Sequence, residues 1–153
     1  MKAKITLPEN EFKLNNIYRF LELIFDDEYR IGIAATLLGR LRQKRETYVE
    51  DWLEIILEYL GDEELLDYYN ELLRQYDEGE ISKTKINKLL EKEMNKRSYR
   101  AAKLRNDWVI VKKTLIELGI VSRTSNRLNL SWDFVERLNI LSKFYNLWRA
   151  GEL

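Results

Sequence analysis

The chain has 153 residues, 45% hydrophobic and 34% charged, and its 26 basic and 26 acidic side chains leave no net charge; this is the composition of a folded domain with a heavily charged surface. Cysteine and histidine are both absent, which excludes disulfides, thiolate nucleophiles, histidine general bases and the usual zinc sites, so no catalytic residue, metal or cofactor is expected. No apolar run approaches the ~20 residues of a bilayer-spanning helix, and Met1 to Pro8 has two lysines without a signal-peptide core, so no membrane association and a cytoplasmic location are expected.

Pro8-Glu9-Asn10 closes a short N-terminal arm, after which Phe12, Ile17, Phe20, Leu21 and Ile24 recur at helical spacing and predict a first helix over 10–26. Asp26-Asp27-Glu28 breaks it. A second helix from Tyr29 to Leu41 contains Gly32 and Gly39, which point to close helix packing, and ends among Arg40, Arg42, Lys44 and Arg45, where cations suit the negative end of the helix dipole. Thr47 to Glu50 has capping-box spacing and opens a third helix through Trp52, Ile55, Ile56 and Tyr59 to Gly61. Asp62 caps a fourth, whose Leu65, Leu66, Tyr69, Leu72, Leu73 and Tyr76 form an apolar stripe. Trp52 and these tyrosines read as core rather than as a stacking platform for bases, because the surrounding carboxylates would repel phosphate.

Ser82 caps a basic helix with Ile86, Leu89 and Leu90 inward, and Ser98 opens a short segment through Ala101, Ala102 and Leu104. Asn106 then precedes a helix from Asp107 to Leu118, with Trp108, Val111, Leu115 and Leu118 facing in and Gly119 as its left-handed stop. Ile120 to Arg123 and Arg127 to Leu130 have strand composition around Thr124-Ser125-Asn126, where Asn126 tolerates a positive φ, so a hairpin is predicted. Ser131 caps a final helix through Trp132, Phe134, Leu138, Leu141, Phe144, Tyr145 and Trp148.

The charges divide along the chain. Residues 46–80 carry thirteen acids against the single base Arg74, whereas residues 81–127 carry thirteen bases against Glu91, Glu93, Asp107 and Glu117. Such asymmetry fits a polyanion-facing half, and equally fits two halves that attract each other.

A helix ending Leu115-Ile116-Glu117-Leu118-Gly119, then a basic hairpin, then Leu128-Asn129-Leu130-Ser131, resembles the recognition helix and wing of winged helix-turn-helix proteins over residues 81–131. The resemblance implies a mainly α fold, with a helical region over 1–79 packed on a winged-helix-like region over 80–153 that holds one small β-hairpin. It further implies that Asn106, Val109, Lys112, Lys113 and Ile116 lie on the outer face of a helix that enters the major groove, with Arg123 and Arg127 on the wing. Lys83, Lys85, Lys88, Arg97, Arg100, Lys103 and Arg105 would extend the phosphate footprint, and Asn106 could pair with adenine.

Two functional expectations follow. The first is a non-enzymatic nucleic-acid-binding protein, on DNA rather than RNA and double-stranded, acting as a transcriptional regulator and able to form a homodimer. The second is a helical adaptor or subunit of a larger complex, whose acidic segment 46–80 meets a protein partner. An enzyme using carboxylates and lysines alone finds no phosphate loop or nucleophile-with-base spacing to support it.

Overall fold

The computed structural model describes residues 5–7 and 16–153. The fold is mainly α with a small antiparallel sheet. Its elements in chain order are α1 (Ile17–Leu21), α2 (Glu28–Arg42), β1 (Thr47–Tyr48), a 3-10 turn (Val49–Asp51), α3 (Trp52–Leu60), α4 (Glu63–Asp77), α5 (Lys83–Lys96), α6 (Ala101–Leu118), β2 (Val121–Thr124), β3 (Arg127–Leu130) and α7 (Asp133–Arg149).

The chain begins its helices where side chains satisfy the otherwise orphaned N–H groups. Asp27 accepts from Tyr29 N and Arg30 N at the start of α2, Asp62 from Leu65 N at the start of α4, and Ser82 from Lys85 N at the start of α5. Gly61 and Gly119 stop α3 and α6 in left-handed conformations, at φ 65° and 82°. The first helix is shorter than its periodicity predicts: it ends at Leu21, and the chain turns so that Asp27 can cap α2, while the part of that prediction before residue 16, Phe12 included, lies outside the described residues.

Three expectations change. Thr47 and Tyr48 form a strand, and the capping box falls one residue later than the sequence suggests, on Tyr48 and Asp51, at the head of the 3-10 turn before α3. Thr47 is buried and its hydroxyl donates to Arg45 O, while Tyr48 N donates to Asp51 Oδ2 at 2.8 Å, so the capping carboxylate belongs to Asp51. The predicted break at Asn106 does not occur. α6 runs unbroken over eighteen residues, with Ala101 N donating to the Asn95 side chain, and Asp107, which imitates a first-turn acid in the sequence, is a mid-helix residue engaged by Arg30 and Lys103. In the hairpin the positive φ falls on Ser125 rather than Asn126.

The sheet has the order β1-β3-β2, with Thr47 opposite Leu128 and Val121 opposite Leu130. β1 and its partner β3 are thus about 80 positions apart in sequence, and β1 fastens the hairpin to the helical body. Val49 N adds a bond to Asn126 O at 2.8 Å. One buried cluster runs through Ile33 and Leu37 of α2, Ile55 and Ile56 of α3, Leu90 and Met94 of α5, Val111 and Leu115 of α6, and Leu128 of β3. Gly32 lies in this packing: a Cβ there would sit 2.0 Å from Tyr59 Cε1, so the bare backbone admits the tyrosine ring. Gly39 has open space around it and has no such packing role.

Buried charge ties α2 to α3 and to α6. Arg40, 5% exposed, donates to Glu54 and Glu58 of α3, instead of merely ending α2 at its dipole. Asp107, 1% exposed on α6, takes Arg30 Nε at 3.0 Å and Lys103 Nζ at 2.7 Å.

Candidate nucleic-acid interface

α6 packs against α2, α3 and α5 and continues into β2, so only a narrow arc of it meets solvent. On that arc Asn106 and Lys113 are exposed and Lys112 is half-buried, whereas Val109 and Ile116, expected on the outer face, are partly buried against the core. The helix has more neighbours than a helix laid on one side of a domain, and its free face shrinks accordingly.

Where α6 meets the hairpin, three cations come together. Burial holds the Lys112 ammonium below its ordinary pKa, and the neighbouring charges of Arg123 and Lys113 push it further down. Arg123 is exposed on β2 and is held in place by the turn it precedes, donating from Nε to Ser125 O at 2.8 Å and from Nη2 to Asn126 Oδ1 at 3.2 Å. Among the described residues, no carboxylate lies within ion-pair reach of Lys112, Lys113 or Arg123. Arg127, on the other strand, pairs at 3.8 Å with Glu46.

The remaining cations of the predicted footprint divide into two kinds. Arg97 is ion-paired to Asp62, Glu64 and Glu93, Lys103 to Asp27 and Asp107, and Arg105 to Glu91. The bond to Glu64 leads in raising the Arg97 pKa, and the bond to Asp107 leads in raising that of Lys103. Lys103 also lies over the Tyr29 ring, 4.4 Å from its centroid, which makes it part of the packing between α2 and α6. These groups hold the protein together, and recruiting them for phosphate would require their carboxylates to be displaced. The Arg97 and Arg127 pairs also join the acidic and basic segments of the sequence, so the two halves do attract each other locally.

Lys85, Lys88 and Arg100 are exposed with no ion pair among the described residues, and Lys83 lies over the Tyr76 ring at 5.6 Å. Sequence reasoning passed over Lys92 and Lys96, which continue the row begun by Lys88 on α5 and line a shallow groove with Glu91 and Asn95. The four-residue spacing Lys88, Lys92, Lys96 was the available signal, since such positions share one helix face.

The acidic segment is partly self-neutralised. Arg74 binds Glu71 and Glu78, each at 2.6 Å, and Glu54 and Glu58 serve Arg40. Among the described residues, no three His, Cys, Asp or Glu side chains are grouped to hold a metal ion, and no helix is long and apolar enough to cross a membrane. The chain matches no family model, no curated protein and no solved structure, so the geometry of its own residues carries the functional reading.

Proposed function

We propose that this chain is a non-enzymatic, double-stranded-DNA-binding protein of the winged-helix kind, working in the cytoplasm as a regulator, and that Lys112, Lys113 and Arg123 are its phosphate contacts. The observation that carries the reading is the crowding of these three cations at the junction of α6 and the hairpin, with no carboxylate partner among the described residues. Like charges held together oppose folding, and a polyanion relieves that repulsion. Asn106, exposed two turns back along α6, supplies the group able to read a base edge. The hairpin is fixed to the body through β1 and Val49, so Arg123 is presented from a rigid support.

Fluorescence anisotropy with labelled random duplex tests the proposal. Three phosphate contacts give a log–log salt slope of about −2.7, which is a loss of roughly 40-fold in affinity between about 50 and 200 mM salt. Replacing Lys112, Lys113 and Arg123 together by glutamine should remove that dependence while leaving the circular dichroism unchanged. A folded chain that binds no duplex at low salt, or a triple variant that binds as well as the parent, contradicts the reading. Parallel titrations with single-stranded DNA and RNA establish which nucleic acid is preferred. The competing reading, a helical adaptor acting through protein contacts, draws on a separate observation, the apolar residues that α7 exposes.

A further inference from the structure

Among the described residues, the bonds that attach α7 to the body come from its N-terminal end. Phe134 N donates to Gly119 O at 3.0 Å, Arg137 Nη1 donates to Glu117 O at 2.6 Å, and the Phe134 ring meets Phe20 edge-on at 6.0 Å. The helix is 17 residues long, or about 25 Å, and none of its residues is buried. From Leu138 onward it carries seven large apolar side chains that are 41–65% exposed.

These side chains are ordered. Leu138, Leu141, Tyr145 and Trp148 follow the three-and-four spacing of a coiled-coil seam, and Ile140, Phe144 and Leu147 lie on the same half of the helix beside it. Asn139, Ser142, Lys143 and Asn146 occupy the opposite half. The sequence thus builds a core-type face, and among the described residues nothing buries it. At roughly 150–250 Å² for each aromatic and somewhat less for each aliphatic, about half exposed, the face amounts to on the order of 700 Å². A typical monomer's largest apolar patch is about 300–600 Å², and each side of a standard interface buries about 800 Å².

We infer that α7 pairs antiparallel with α7 of a second copy of this chain. The seam reads the same in both directions about Lys143, so an antiparallel pair sets Leu138 against Trp148 and Leu141 against Tyr145, twice over, as a twofold interface requires. The end charges suit this direction: Asp133 and Glu136 lie in the first turn and Arg149 in the last, so antiparallel ends attract while parallel ends would repel. Arg137 is the cation near the first turn, and its guanidinium is engaged by the Glu117 carbonyl. Antiparallel pairing also sets the two bodies at opposite ends of the helix pair, clear of each other. A membrane surface is the poorer occupant, because the polar half offers Lys143 and Arg149 where such helices are rich in bases. The inference stands whether or not the chain binds DNA.

Sedimentation equilibrium of the full chain tests it. The expected mass is twice 18.5 kDa over roughly 1–100 μM, where an interface of this size is populated. Leu141→Glu and Tyr145→Glu should each return the mass to a single chain with helical circular dichroism intact, and Asn139→Glu on the opposite half should leave the dimer unchanged. Since the chain has no cysteine, direction can be read by oxidising a mixture of Leu138→Cys and Trp148→Cys chains. Mixed disulfides exceeding either self-disulfide are expected. A single-chain mass across the whole range overturns the inference, with or without binding to vesicles of anionic lipid, and so does dimerisation that survives both glutamate variants.

Discussion

Replacing Asp107 by Asn removes the charge that joins α6 to α2 while keeping the side chain's size and one acceptor oxygen. The carboxylate is 1% exposed and holds Arg30 Nε at 3.0 Å and Lys103 Nζ at 2.7 Å. Loss of one partner from a buried pair costs about 3–5 kcal/mol, because the opposite charge is left without compensation. Here the Arg30 and Lys103 side chains are 27% and 29% exposed, and water and Asp27 can take up part of their charge, which reduces the expected cost to about 2–3 kcal/mol. For a chain of this length that is a fall in unfolding midpoint of about 4–12 °C. Thermal unfolding followed by far-UV circular dichroism reads it directly. In a cycle with Arg30→Met, the Asp107→Asn effect should shrink, because part of the uncompensated charge has already gone. A midpoint unchanged by Asp107→Asn, or effects of the two substitutions that simply add, would refute the claim that this pair fastens the candidate interface helix to the body.

The two helical glycines of α2 should respond with opposite sign. Gly32→Ala drives a methyl into the Tyr59 ring and should destabilise by about 1–2 kcal/mol in urea unfolding even after the gain in helix propensity, whereas Gly39→Ala, with open space around it, should stabilise by up to about 1 kcal/mol. Acid should weaken the fold through Asp27. Burial pushes its carboxyl up, but the N–H groups of Arg30 and Tyr29 and the Lys103 ammonium outweigh burial and hold it below 3.8, so its contribution is complete above that value and is lost as the pH falls through the lower, folded-state value. Urea midpoints taken downward from about pH 6 should therefore fall less steeply for Asp27→Asn than for the parent. On the alkaline side, Lys112 should lose its proton below the ordinary 10.5, because of burial and then of Arg123 and Lys113. Duplex affinity should accordingly start to fall at a lower pH than an ordinary lysine would give, and Lys112→Gln should flatten that part of the profile.

What the sequence disclosed was local. The caps at Asp62 and Ser82 and the stops at Gly61 and Gly119 depend on residues within one turn, and they are found where their chemistry predicts, whereas Asp27, read only as a break, proves to be the cap of α2. β1 was hidden because a two-residue strand has no periodicity, and its bonds come from β3 about 80 residues later. Asp107 misled for a related reason: within its own neighbourhood it reads as a helix-opening acid, and only the distant Arg30 shows that it is a tertiary ion-pair partner. The same limit governs the candidate site. A basic run shows how many cations are present but not which of them meet acids, so Arg97 and Lys103 looked like Lys112 and Arg123 until the fold brought Asp62, Glu64 and Asp27 to the former and, among the described residues, no acid to the latter. The apolar residues of the final helix likewise predicted a helix without showing that they stay exposed.

The proposed binding depends on phosphate meeting this protein at the junction of α6 and the hairpin. Backbone amide shifts recorded as a short duplex is titrated into the isotopically labelled chain test it most directly. Perturbations should concentrate over Asn106 to Ile116 and over β2 and its turn through Arg127, with α4 silent. Perturbations confined to the lysine row of α5, or none while the chain remains folded, would contradict it.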